Sequence, residues 1–143
     1  MARIDFYLLA ESGETSRERF ACRLAEKAYR LRHSVHIQTD DHHRAAQLDD
    51  LLWTFRDGSF VPHERIESAN AAVEAPITIG CTPESLRAAD LLINLTDAQP
   101  PELGPFPRVA EIVTSDADRR QRSRKLFADY RSQGHRLEVH ELR

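Results

Sequence analysis

Short apolar runs and longer stretches of helical periodicity take turns along this chain. Ile4-Asp5-Phe6-Tyr7-Leu8-Leu9 is mostly apolar on both parities, the mark of a strand buried on both faces. Phe20, Leu24, Ala28 and Leu31 then recur at helical spacing, with Ala21, Cys22 and Ala25 widening the stripe. Thr15 or Ser16 can cap that helix, with Glu18 in its first turn. Val35-His36-Ile37-Gln38 alternates as a short second strand. Asp40 or Asp41 is placed to cap a second helix running through Ala45, Leu48, Leu51 and Leu52 to near Trp53. Strand-helix-strand-helix order calls for a parallel sheet with crossover connections.

Residues 54 to 75 show neither period and read as irregular. Ile77-Thr78-Ile79 predicts a third strand, followed by a capping turn at Thr82-Pro83-Glu84-Ser85. Leu91-Leu92-Ile93-Asn94-Leu95 has the unbroken apolarity of a central strand, and Val109 to Val113 predicts a fifth. Four prolines between Pro100 and Pro107 require a loop between them. A helix from Asp116 to Gln133, stopped by Gly134, leads to an edge-like strand at Leu137-Glu138-Val139-His140. The expected fold is one three-layer α/β/α domain over residues 1–143. Its central sheet is mostly parallel and Rossmann-like, without a phosphate-binding loop.

At 143 residues and 41% hydrophobic, the chain can bury one sizeable core, and 30% charged residues suit a soluble protein. No apolar run is long enough for a membrane span, and the N-terminus reads straight into structure rather than as a signal peptide. Cys22 and Cys81 fit no zinc or redox spacing, so a reducing cytoplasm is expected. The net charge of −3 conceals an asymmetry. Residues 119 to 136 carry seven arginines and lysines against Asp129 alone, so the remainder is strongly acidic. Such a balance disfavours a general coat for nucleic acid and favours gripping one short acidic ligand.

Catalytic chemistry is hard to write onto these residues. The turn after the first strand, Ala10-Glu11-Ser12-Gly13-Glu14, has one glycine and two acids where a phosphate would sit, which excludes a Walker loop or dinucleotide fingerprint. His42 and His43 point to different helix faces, His33 and His36 flank a strand start, and surface histidines are expected rather than metal ligands. Cys22 falls in the apolar stripe as a buried thiol. Glu11, Glu14 and Asp97 suggest at most a solvated acidic rim. The expectation is no catalytic residue, no metal, no cofactor and no small-molecule substrate.

Two features carry information. In Leu48-Asp49-x-x-Leu52-Trp53 and Ser59-Phe60-Val61-Pro62-His63, the only Trp and nearby rings sit at a helix end and in the following loop. They either plug that junction or form an exposed aromatic patch, which marks a partner surface. In the basic helix, Arg124, Phe127 and Arg131 share a face, with Ala128 between them and Tyr130 beside them. A charge run is commonly a solvated face. Guanidinium and aromatic groups side by side also suit a peptide end, giving a pocket for a ring and a fork for a carboxylate.

These blocks resemble the chi subunit of bacterial DNA polymerase III holoenzyme. Phe6-Tyr7-Leu8-Leu9, Asp90-Leu91-Leu92-Ile93-Asn94-Leu95 and Tyr130-Arg131-x-x-Gly134 agree in order, and Trp53 to His63 is the specific part. The resemblance implies a non-catalytic accessory subunit of a DNA-directed DNA polymerase. It would bridge the clamp loader, through the psi subunit, to the acidic C-terminal tail of single-stranded DNA-binding protein, which ends in a phenylalanine carboxylate. Carried over, the tail site falls on Val113, Arg124, Phe127, Tyr130 and Arg131, with Val139 beside it. The psi face, resembling one also used by a DNA repair helicase, falls on Trp53, Phe60, Val61, Pro62 and His63. The resemblance implies a cytoplasmic, replisome-associated protein that meets DNA mainly indirectly. Ala128 stands where the family commonly has a basic residue, and Lys125 or Arg131 would have to substitute. The alternatives are a direct single-strand binder using the basic helix, or an enzyme on the same scaffold.

Overall fold

In the computed structural model, which describes residues 2–142, strand and helix alternate along most of the chain. The elements are β1 (Arg3–Leu8), α1 (Glu14–Arg30), β2 (Val35–Gln38), α2 (His42–Thr54), β3 (His63–Arg65), β4 (Ile77–Gly80), β5 (Leu91–Asn94), β6 (Arg108–Val113), α3 (Ala117–Ser132) and β7 (Arg136–Glu141). The strands form one seven-stranded sheet in the order β3-β4-β2-β5-β6-β1-β7. Every pairing is parallel. The α/β architecture expected from the apolar runs is therefore the one observed, with β5, the most continuously apolar strand, at the centre.

Alternate residues of the strands feed two apolar layers. On one face Val35, Ile37, Ile77, Ile79, Ile93 and Ile112 meet Ala21, Cys22 and Ala25 of α1 and Ala45, Leu48 and Leu52 of α2. The opposite face joins Ile4, Phe6, Leu92, Val109 and Val113 to Leu126 and Tyr130 of α3. The contact stripe of α1 is thus built from small side chains that let the helix lie close to the sheet. Phe20 and Leu24 are only half-buried, and Leu31 is 61% exposed, outside the stripe assigned to it. Burial pushes the Cys22 thiol up to about 12, consistent with an inert packing role.

Local details depart from the sequence pattern at identifiable points. Helix α1 begins two or three residues earlier than Thr15 or Ser16 would place it, with Gly13, at a positive φ of 90°, in the cap position. Asp41, not Asp40, caps α2 by accepting the Arg44 N–H at 2.8 Å. Strand β3 lies inside the segment read as irregular. Its His63-Glu64-Arg65 sequence has no apolar signal, and its place comes from pairing alongside β4. His36 is not a surface residue. It is fully buried in β2, its ring bonded to Thr78 Oγ1 and Gln38 Oε1 at 2.8 Å each, and burial pulls it down to about 4.

Candidate partner-binding surfaces

In parallel α/β sheets ligands usually bind beyond the carboxyl ends of the strands. Here that crevice is a small one of about 180 Å³, walled by charged side chains that are largely paired with one another. Arg17, 2% exposed, donates to the carbonyls of Ile112 (2.8 Å) and Leu95 (3.1 Å) and pairs with Glu14 at 2.7 Å. Above it Arg119 binds Asp97 at 2.9 Å, so two members of the expected acidic rim are held in ion pairs rather than left solvated. Among the described residues, no His, Cys, Asp and Glu side chains gather where they could hold a metal.

A groove of about 280 Å³ opens instead on the α3 face near the β7 edge. Its floor is Phe6 and Leu8 of β1, Val113 of β6 and Val139 of β7, brought into line by the parallel register Leu8↔Val113 and Phe6↔Val139. Phe127 of α3 closes one side, with its ring 5.4 Å from Phe6 and tilted by 58°. Arg120 and Arg124 form the rim. Arg120 is fixed by donating to Thr114 O (3.0 Å) and Leu9 O (3.1 Å), whereas Arg124 is exposed and enters no ion pair among the described residues. An apolar trough with a free guanidinium at its lip can take an apolar ring and an adjacent carboxylate together.

Behind this groove lies a buried polar centre. The Glu111 carboxylate accepts from Tyr130 Oη at 2.7 Å and from Asn94 Nδ2 at 2.8 Å. Complete burial raises Glu111 to about 7, with the two hydrogen bonds pulling the other way. Burial and the neighbouring Glu111 also raise the Tyr130 phenol. This contact anchors the inner side of α3 to β6.

The second surface is aromatic. Trp53, at the end of α2, is 48% exposed, and Phe60, in the following loop, is 79% exposed. Their rings meet edge to face at 5.7 Å, and Trp53 also leans on His63 at 4.4 Å. His63 is buried and held in place: its Nδ1 faces Val61 O at 2.6 Å and its Nε2 lies 2.8 Å from Asp49. Pro62 is half-buried beside this pair, and Val61 belongs to the core.

The DNA polymerase III chi subunit (HolC) family model matches residues 1–138. The chain belongs to the chi subunit family. It is similar to the DNA polymerase III subunit chi of Pseudomonas aeruginosa, 39% identical over 99% of this chain and 98% of that protein. The chi subunits of Haemophilus influenzae and Escherichia coli are 29% and 28% identical, over 92% and 96% of each chain respectively. As a chi-family member it is an accessory subunit of the replicative polymerase, with partners inside that holoenzyme.

Set against the family-derived expectations, the structure divides each residue set. Val113, Arg124 and Phe127 come together in the α3 groove, and Val139 joins them. Tyr130 does not: it is 0% exposed, turned inward to Glu111, and supports the groove from behind. Arg131 is exposed but lies outside the groove lining. On the other surface Trp53 and Phe60 are accessible with Pro62 between core and solvent, while Val61 and His63 are buried beneath them. Sequence reasoning missed Phe6, Leu8, Arg120 and Ser123 in the groove. The parity of β1 was the one available signal, since Phe6 and Leu8 share a face.

Proposed function

We propose that this chain is a non-catalytic adaptor. It would hold the psi subunit of the clamp loader at the Trp53–Phe60 patch and the acidic tail of single-stranded DNA-binding protein in the α3 groove. The observation that carries the reading is the groove: an apolar trough on a basic helix, with an unpaired Arg124 at its rim, suits a peptide ending in a phenylalanine carboxylate. The basic helix draws the acidic tail in, and the terminal ring then replaces water against Phe127 and Val113. A DNA repair helicase with a psi-like segment would compete for the aromatic patch. The adaptor would then act at the replisome and reach coated DNA through its protein.

Isothermal titration with a short acidic peptide ending in Phe tests this. Arg124→Ala is expected to weaken binding about ten- to a hundred-fold, the range of one charge-assisted hydrogen bond. Removing the terminal Phe should cost more than raising salt, because a buried ring is not screened whereas rim charges are. Wild-type affinity in Arg124→Ala, or full affinity of the truncated peptide, would exclude the groove as the tail site.

A further inference from the structure

By sequence, α1 is a mixed-charge helix, with Glu14, Glu18 and Glu26 interspersed among its arginines and Lys27. Folding sorts those charges. Glu18 and Glu26 are 7% and 8% exposed, Glu26 is taken up by Arg56 and Ser59, and Glu14 by Arg17. Arg30 is exposed and pairs with Glu26 at 3.5 Å, which leaves Arg19, Arg23 and Lys27 outward, all exposed and none in an ion pair among the described residues. They repeat every four residues, about 6 Å apart along the helix axis, a spacing that an extended phosphate backbone can follow.

A ladder of planar groups runs from this stripe across the sheet. The Arg23 guanidinium lies over Phe20 at 5.7 Å, and Phe20 meets Tyr7 of β1 at 5.2 Å. Tyr7 in turn stacks on His140 of the edge strand β7 at 4.9 Å and 18°. Phe20, Tyr7 and His140 are each only partly buried. Helix α3 packs on the other face of the sheet, so these rings stay on the α1 side. Lys27 and Tyr7 also line one depression of about 140 Å³, together with Asp90 and Arg108.

We propose that this α1 face is a docking surface for single-stranded nucleic acid. Cations in a row neutralise successive phosphates, and what stays exposed of the Phe20 and His140 rings can stack on bases without regard to sequence. An acidic polypeptide would use the cations but leave the rings idle. The surface is separate from the α3 groove and the aromatic patch, and the inference needs neither partner assigned above. It places direct contact with the strand beside contact through the protein that coats it.

Fluorescence anisotropy of the full chain with a labelled oligothymidylate, at low and physiological salt, tests it. The combined variant Arg19→Gln, Arg23→Gln, Lys27→Gln should stay folded, since no ion pair is lost and glutamine keeps the helix. Its binding should be ten- to a hundred-fold weaker at low salt, with the log–log salt slope reduced by about two. Arg122→Gln with Lys125→Gln, on α3, should bind like wild type. The proposal falls if wild type does not bind at low salt, if the α1 variant binds unchanged, or if the α3 variant loses binding instead. It falls also if an oligoglutamate of equal charge displaces the oligonucleotide as well as unlabelled oligothymidylate does.

Discussion

Replacing Trp53 and Phe60 together with alanine is expected to abolish pairing with the psi subunit while the thermal transition of the isolated chain shifts little. Phe60 is largely in solvent and Trp53 about half so, and neither belongs to the core, so truncating them removes their mutual edge contact and the lean on His63 but opens no core cavity. Their cost appears on association, where each large ring that becomes buried contributes roughly 1.5–3 kcal/mol. Losing two such anchors weakens binding by more than a hundred-fold. Co-purification and analytical ultracentrifugation measure pairing, and calorimetry measures folding. A variant that melts far below wild type would return Trp53 to the core. One that pairs normally while folded would move the psi interface elsewhere.

The core beneath that patch explains why sequence could mark the segment but not divide it. An aromatic cluster after a helix carries no period, so nothing in its spacing distinguishes Val61, packed among the isoleucines, from Phe60, which is solvated. Backbone pairing decides, because β3 forms alongside β4 and draws His63 inward against Asp49. The sheet itself was legible because parallel strands buried on both faces must be apolar on both parities. Those strands are Ile77–Ile79, Leu91–Leu95 and Val109–Val113. The α3 groove was half legible. Helical spacing finds Arg124 and Phe127 on one face, but it also brings Tyr130 close. Only the position of Glu111 in β6 shows that Tyr130 turns inward. The floor from β1 and β7 depends on a register between strands that are far apart in sequence. The basic face of α1 was hidden for a different reason: its acids are present in the sequence and disappear from the surface only on folding.

Glu111 gives the sharpest consequence of that buried arrangement. Its folded value of about 7 lies above the ordinary 4.5, so between those limits the folded state holds a proton that the unfolded chain releases. Stability from this group is therefore complete below about pH 4.5 and is lost as pH rises through 7, by roughly 3 kcal/mol in all. Asp5 and Glu26, whose values are lowered despite the opposing effect of burial, act in the other direction: their ion pairs and hydrogen bonds are lost as pH falls. The total pH profile therefore mixes signs, and the difference between wild type and Glu111→Gln isolates the one group. Glutamine keeps an acceptor for Tyr130 Oη and Asn94 Nδ2 and cannot ionise. Any fixed packing offset it introduces is independent of pH. Urea unfolding from pH 4 to 8.5 should show the variant gaining on wild type as pH rises. That gain should amount to roughly 3 kcal/mol and flatten above pH 8. A difference that does not change with pH would mean that Glu111 titrates in the folded protein as it does in the unfolded chain and is ionised at neutral pH. The anchor beneath α3 would then be a charged contact rather than a protonated one.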